Sequence, residues 1–145
     1  MLPERIQLDV VTPQRAVVSE AVDELVLPGS EGYLGVRPGH VPLLTTLKIG
    51  EVTYRKGSET RHLAVTWGFV EVLPDRVTIL AETAERGEEI DVPRARRAQE
   101  RAEGRLKNPD PDTDIDRAQV ALTRALNRLQ VAARAGAAAR GERGV

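Results

Sequence analysis

Arginines recur at helical spacing in the last third of the chain, where they could bind an anion. The guanidinium group donates two parallel hydrogen bonds, which suits phosphate oxygens. Like charges four residues apart on a helix repel each other mildly, so solvation or a bound anion must offset them. Spacing alone leaves both readings open: a solvated helix face or an anion site. One predicted helix carries Arg94, Arg97, Arg101 and Arg105, and a second carries Arg117, Arg124 and Arg128.

Residues suited to catalysis or to metal binding are sparse. The chain has no cysteine, which excludes disulfides and thiolate metal sites. His40 and His62 are isolated in the sequence, so they predict neither a metal site nor a catalytic triad. The glycine-rich segment 29–39 lacks the Gly-Lys-Ser/Thr of a P-loop and precedes no predicted helix. Catalysis is therefore not predicted.

The composition indicates a soluble globular protein. Of 145 residues, 41% are hydrophobic and 30% are charged, and the net charge is −1. No apolar run approaches the ~18–20 residues of a membrane helix, and no signal peptide is evident at the start. The near-zero charge and the absence of aromatic residues after Phe69 argue against nucleic-acid binding. A chain without cysteine is consistent with the cytosol.

Short alternating segments predict an all-β domain before about residue 88. Ile6, Leu8 and Val10 alternate with polar residues, as in a half-buried strand. Strands recurring about every eight to twelve residues favour a sandwich or a barrel over a parallel α/β sheet. All four aromatic residues precede position 70, which places the core in this part. The other predicted strands are 22–27, around 34–36, 52–54, 63–65, 69–73 and 77–81.

Residues 89–133 predict two helices joined near Asn108–Pro111. Asp91 is suited to be an N-cap, and Pro93 falls in the first turn of a helix that runs to about Lys107. The second helix is expected to begin near Thr113 or Asp114, and 134–145 is expected to be a flexible tail. A seam of small apolar residues should leave the hairpin only marginally stable. The seam comprises Ala95, Ala98, Ala102 and Leu106 with Ile115, Ala118, Leu122, Ala125, Leu129 and Ala132.

Several segments together resemble the epsilon subunit of bacterial F-type ATP synthases. The resemblance extends over residues 5–132, and its glycine-histidine-proline segment is the most specific part. It implies an all-β sandwich of about ten strands in residues 1–88, followed by a C-terminal antiparallel α-helical hairpin. The segments that carry it are Leu8–Pro13, Gly29–Val36, Pro38–Leu44, Gly68–Val72 and Val77–Ala81.

The resemblance implies a non-catalytic rotor subunit of a proton-translocating ATP synthase. Such a subunit binds the gamma subunit and the ring of c subunits, needs no cofactor, and reaches the membrane only through the complex. It lies peripherally at the cytoplasmic face of the bacterial plasma membrane. The expected contacts with the ring and gamma are Glu31, Gly32, Tyr33, His40 and Pro42.

The resemblance also implies regulation by the hairpin. Extended along gamma into the catalytic alpha/beta head, the hairpin restrains ATP hydrolysis. Some members bind ATP as a regulatory ligand on the folded hairpin through an Ile/Leu-Asp-x-x-Arg-Ala motif, and Asp91 can serve as N-cap and ligand at once. The matching residues here are Ile90, Asp91, Arg94 and Ala95, with Glu85, Arg101, Arg124 and Arg128 added by position.

The glycine-rich segment has two interpretations of its own. It could be simple turns, or it could be a recognition loop that presents Tyr33 and His40.

Two other classes of protein compete with the rotor subunit. A free-standing anion-binding, nucleotide-binding or protein-interaction module could share the same shape. A hydrolytic enzyme would need a nucleophile–base pair that the sequence does not offer.

Overall fold

The computed structural model of the chain describes the backbone of residues 2–143 and the side chains of residues 2–139. The chain divides into two compact units, Met1–Arg86 and Gly87–Val145. The first unit is built from strands and the second from helices. The predicted fold class, a β-sandwich followed by a two-helix hairpin, is confirmed.

Eight strands form the described part of the sandwich, where the resemblance implied about ten. The last two are long, with 14 and 11 residues, and each runs through both layers of the sandwich. Two predicted short strands, 63–65 and 69–73, are therefore parts of a single strand. The strands are β1 Ile6–Val11, β2 Ala16–Val22, β3 Glu24–Gly29, β4 Gly32–Val36, β5 Leu43–Leu47, β6 Gly50–Lys56, β7 Glu59–Val72 and β8 Arg76–Arg86.

The long strands make one sheet fold over into two layers. The first part of β7 pairs with β6, and its last part, from Gly68, pairs with β5. Strand β8 follows β7 along both parts, and β1 joins β8 in parallel. Strand β3 pairs with β4, β5 and β6. These pairings connect the two layers a second time. The order β2-β1-β8-β7-β5-β3-β4 thus encloses a single apolar core.

The bend of β7 lies at Trp67 and Gly68, where both residues have positive φ, 41° and 146°. Gly68 pairs with Ala81, and a Cβ atom placed on it would lie 1.8 Å from the carbonyl oxygen of Leu80. Only glycine fits so close to a neighbouring backbone in this conformation. Gly68 therefore sets the bend that lets β7 serve both layers.

Alternating residues form the core, as the sequence predicted for β1. Ile6, Leu8 and Val10 are completely buried. Of the four aromatic residues, only Tyr54 lies in the core, and burial raises the pKa of its phenol, helped by a hydrogen bond to Glu20. The other three aromatic side chains are exposed, so aromatic content alone does not mark this core.

Two strands were not predicted, β2 and β5. Strand β2 lacks clean alternation because Val17 and Val18 are both buried, and the predicted run 22–27 is broken at Asp23 between β2 and β3. Strand β5 is mostly exposed and reads Leu-Leu-Thr-Thr-Leu, which contains no period-two pattern. Both strands depend on pairing with distant segments rather than on local pattern.

The second unit is a hairpin of α1 Val92–Lys107 and α2 Ile115–Arg143, preceded by a short 3-10 helix at Gly87–Glu89. Helix α1 has the predicted ends, and α2 is capped by Asp114, which accepts a hydrogen bond from the N–H of Arg117 at 3.0 Å. Helix α2 is longer than predicted, because 134–143 is helical, consistent with the high helix propensity of its alanines. Within the described residues, no helix is long and apolar enough to cross a membrane.

The bend predicts a large effect of Gly68→Ala. We expect a loss of about 4 kcal/mol or more in the free energy of unfolding, since the methyl group meets the Leu80 backbone. Gly57→Ala is the matched control: Gly57 also has positive φ, +63°, but open space around it. It should cost only about 1–2 kcal/mol. Urea unfolding of both variants would test this, and equal losses would contradict the steric role of Gly68.

Candidate nucleotide site and partner-facing surfaces

The start of α1 carries the predicted nucleotide motif. Asp91 has extended backbone angles, and its Oδ1 accepts a hydrogen bond from the N–H of Arg94 at 3.1 Å. Asp91 is thus the N-cap, as predicted, with Pro93 in the first turn. Ile90 is buried and its N–H bonds to the carbonyl of Gly87 at 3.3 Å. The motif therefore has a fixed backbone at the positive end of a helix.

Arginines line the edge of the α1 seam. Arg94 and Arg101 are exposed and each immediately precedes a fully buried alanine, Ala95 or Ala102. Because they are seven residues apart, the two guanidinium groups lie on the same side of α1, two turns from each other. They flank the line along which α1 packs on α2. Both side chains therefore lie next to the alanine face of α1 and are exposed to solvent.

Arg124 and Arg128 lie on α2 and are half-buried. Four residues separate them, so they are neighbours on one helix face. Both are engaged with other groups of the protein, and the Nε atom of Arg124 is shielded from solvent. A ligand at these arginines would therefore compete with, or add to, interactions that they already make.

The antiparallel hairpin brings the start of α1 beside the middle of α2. Arg94 and Arg128 are equally far along the chain from Pro111 in the connector, on opposite sides of it. The 3-10 helix before α1 also packs on α2. Arg94, Arg101, Arg124 and Arg128 thus belong to neighbouring segments of one unit. Glu85 is the exception, because it lies in β8 and belongs to the sandwich.

The turn between β3 and β4 is held firmly from both sides. Glu31 is exposed at its tip, while Gly32 and Tyr33 belong to strand β4 rather than to a loop. The hydroxyl of Tyr33 accepts a hydrogen bond from the N–H of Glu51 at 3.0 Å. On the other side, Thr45 Oγ1 accepts a hydrogen bond from the N–H of Ser30 at 3.2 Å. The tip is therefore a rigid, exposed element.

His40 and Pro42 lie in the loop that follows β4. Gly39 has a positive φ of 87°, and its N–H donates to the carbonyl of Pro74 at 2.8 Å. The Nδ1 of His40 is 2.6 Å from the carbonyl oxygen of Val41, which can only accept, so this nitrogen carries a proton. Since β4 separates this loop from Glu31 by about 17 Å, the two predicted contact segments lie at opposite ends of one strand.

An apolar patch on the sandwich was not predicted. Leu44, Phe69 and Leu80 are 76%, 66% and 52% exposed and lie on adjacent strands β5, β7 and β8. The exposed carboxylates Glu71 and Glu82 lie at its edge. Phe69 and the buried Val70 are consecutive in one strand, so only one of the two side chains can face the core. These neighbouring apolar residues were the sign in the sequence that one large apolar side chain is exposed. Which of the two faces the core depends on the bend at Gly68.

Metal-binding groups do not converge in the part of the chain that the structure describes. No group of three His, Asp or Glu side chains there could hold a metal ion. His62 instead bonds to the buried Glu51, with 2.6 Å between Nδ1 and Oε1. The candidate nucleotide site thus consists of arginines, which can bind an anion, and of one carboxylate that caps the helix.

A β-sandwich with exposed apolar and loop surfaces precedes a helical hairpin that carries arginines on both helices. Comparison with known proteins identifies the family that has this combination. The model of the ATP synthase delta/epsilon chain β-sandwich domain matches residues 5–87, and that of its long α-helix domain matches residues 88–133. The chain belongs to the ATP synthase delta/epsilon chain family.

Curated relatives are similar in sequence to this chain over nearly its whole length. The ATP synthase epsilon chain 2 of Syntrophotalea carbinolica is 52% identical over 136 residues, which cover 93% of this chain and 99% of that protein. The epsilon chain of Geobacter sulfurreducens is 50% identical over 135 residues, covering 92% and 98%. The predicted non-catalytic subunit of an F-type ATP synthase is confirmed.

Solved structures with the same fold come from ATP synthase assemblies. A chain of the Euglena gracilis mitochondrial ATP synthase matches with a TM-score of 0.75 and 25% identity, over 85% of this chain and 78% of that chain. A chain of the Tetrahymena thermophila central stalk and c-ring matches with a TM-score of 0.57 over 93% and 98%, and at 17% identity it supports the fold alone.

Proposed function

We propose that this epsilon chain joins the gamma subunit to the c-ring and that its hairpin restrains ATP hydrolysis unless ATP is bound to it. The observation that carries the proposal is a separate hairpin unit whose two helices meet through alanines and are edged by arginines. The subunit would act peripherally at the cytoplasmic face of the bacterial membrane, inside the complex.

The alanine seam supports a hairpin that can change state. Ala95 and Ala102 of α1 and Ala118 and Ala125 of α2 are buried. Each buried methyl group contributes only about 0.8 kcal/mol, whereas a buried leucine contributes about 1.5–3 kcal/mol. The contact between the helices is therefore weak for its length, and a modest binding energy is enough to shift the hairpin between folded and extended states.

The arginines support ATP as the ligand that favours the folded state. Arg94 and Arg101 are exposed, and the N-terminal end of α1 adds a partial positive charge. A triphosphate offsets the repulsion among these cations and accepts paired hydrogen bonds from them. Because only the folded hairpin brings α1 and α2 together, ATP at 100 times its Kd would stabilise that state by about 2.7 kcal/mol.

The double substitution Arg124→Ala with Arg128→Ala tests the nucleotide site. We expect ATP affinity to fall about 100-fold or more, since each charge-assisted hydrogen bond contributes about 1.5–3 kcal/mol. The matched control is Arg96→Ala with Arg117→Ala, which removes one exposed arginine from each helix outside the candidate set. Calorimetric titration of the full chain measures both. Equal affinity in the two double variants, or no heat up to millimolar ATP, would contradict the site.

Removal of residues 89–145 tests the restraint on hydrolysis. We expect the reconstituted complex with the shortened chain to hydrolyse ATP several-fold faster than the complex with the full chain. The difference should be largest at low ATP, because high ATP keeps the hairpin folded. Equal gamma and c-subunit content in the two complexes is the control. Identical rates at every ATP concentration would refute an inhibitory hairpin.

The apolar patch of Leu44, Phe69 and Leu80 supports docking of the gamma subunit. Adjacent large apolar side chains on three strands are unusual on a surface that faces only water. The carboxylates Glu71 and Glu82 at the edge favour a partner with an apolar centre and basic residues around it. The rigid Glu31 tip and the His40 loop then remain available for the c-ring.

Phe69→Asp tests the docking surface. We expect the affinity for purified gamma subunit to fall at least about tenfold, because a charge would be buried at the centre of the contact. The control is Val26→Asp, which changes a 41% exposed apolar residue on β3, away from the patch. Surface-immobilised gamma measures both affinities. If both variants bind as well as the unchanged chain, gamma docks elsewhere.

A further inference from the structure

The connector between the two helices is closed by hydrogen bonds of its own. The Oδ1 atom of Asp110 accepts hydrogen bonds from the N–H of Asp112 at 2.9 Å and from the hydroxyl of Thr113 at 3.1 Å. In return, the N–H of Asp110 donates to Thr113 Oγ1 at 3.0 Å. The N–H of Thr113 also donates to the carbonyl of Asp110 at 3.1 Å. Four hydrogen bonds thus close a turn at Asp110–Thr113, and the Thr113 hydroxyl takes part in two of them.

Two prolines restrict the rest of the connector. Pro109 and Pro111 fix φ at about −65°, and neither offers an N–H to a helix. Asn108 ends α1 with φ −128° and ψ 69°, which is not helical. It has little freedom, because its N–H is bonded to the carbonyl of Gly104 at 3.0 Å and the ring of Pro109 restricts its ψ. A change in the direction of α2 relative to α1 is therefore expected to require a change in the turn.

The contact between the helices gives the hairpin little support of its own. The residues buried along the seam are mainly alanines, which contribute little free energy each. Gly104, near the end of α1, has open space around it and adds no side chain to the seam. A helix of 16 residues, such as α1, is only marginally stable when it is isolated in water. The folded hairpin therefore depends on interactions that keep its helices side by side.

We propose that the Asp110–Thr113 turn is a lock that favours the folded hairpin, because its hydrogen bonds must break before α2 can move away from α1. The inference rests on the proposed hairpin switch and deepens it. The balance between the folded and extended states is then set at two places. ATP acts near the start of α1, and the turn acts at the opposite end of the hairpin, where the chain reverses.

Thr113→Val tests the lock in the full chain. Valine keeps the branched shape of threonine but lacks the hydroxyl, so two of the four hydrogen bonds are lost. We expect hydrogen–deuterium exchange of the α1 amides to become about tenfold faster, since these amides exchange when the hairpin opens. Thr113→Ser keeps the hydroxyl and should change these rates less than about twofold. Thr123→Val is the matched control, because it removes an exposed hydroxyl that bonds to the Gln119 carbonyl within α2.

The reconstituted complex shows whether the turn acts on the switch. With Thr113→Val, several times more ATP should be needed for half-maximal relief of inhibition, because a larger share of the hairpin is extended. Faster exchange with an unchanged ATP dependence would mean that the turn persists in both states, which overturns the lock. Unchanged exchange would place the opening at Asn108 and would overturn it as well.

The variant that lacks residues 89–145 separates this inference from the proposed function. If the complex with the shortened chain hydrolyses ATP no faster than the complex with the full chain, the restraint on hydrolysis is wrong. The exchange rates of Thr113→Val and Thr113→Ser then decide by themselves whether the turn holds the hairpin closed.

Discussion

The close approach of β7 and β8 at Gly68 is the constraint on which the sandwich depends. Because a backbone oxygen occupies the place of a side chain there, the two longest strands can bend together and pass from one layer to the other. That bend decides which side of β7 faces the core from residue 68 onward. Val70 and Val72 turn inward, and Phe69 turns to the surface. A single glycine thus determines both the core and the outward-facing apolar patch.

The two units of the chain are stabilised in different ways. The sandwich encloses large aliphatic side chains that are almost completely buried, so its structure resists change. The hairpin relies on alanines, helix caps and charge, which stabilise locally and weakly. A change of structure therefore costs less free energy in the hairpin than in the sandwich.

Features that depend on residues close together in the chain could be predicted from the sequence. Features that depend on pairing between distant segments could not. The ends of α1, the Asp91 cap and strand β1 follow from residues that lie close together in the chain. The motif Ile90–Ala95 was placed correctly at a helix start for the same reason. Strand β5, the long β7 and the apolar patch arise from pairing between distant segments. No window of sequence around Phe69 contains the information that Leu44 and Leu80 lie beside it.

The parallel pairing of β1 with β8 has a consequence for the order of folding. Strand β1 pairs with β2 directly after it in the chain, but Val11 also pairs with Leu80, so the second neighbour of β1 comes only after almost the entire sandwich sequence. During synthesis, the pair of β1 and β2 therefore remains without β8 until about residue 86 has left the ribosome. The hairpin is made last but needs only contacts within itself, so it can form as soon as it emerges. Truncated nascent chains would expose the N-terminal strands, and their handling by chaperones would be concentrated in that interval.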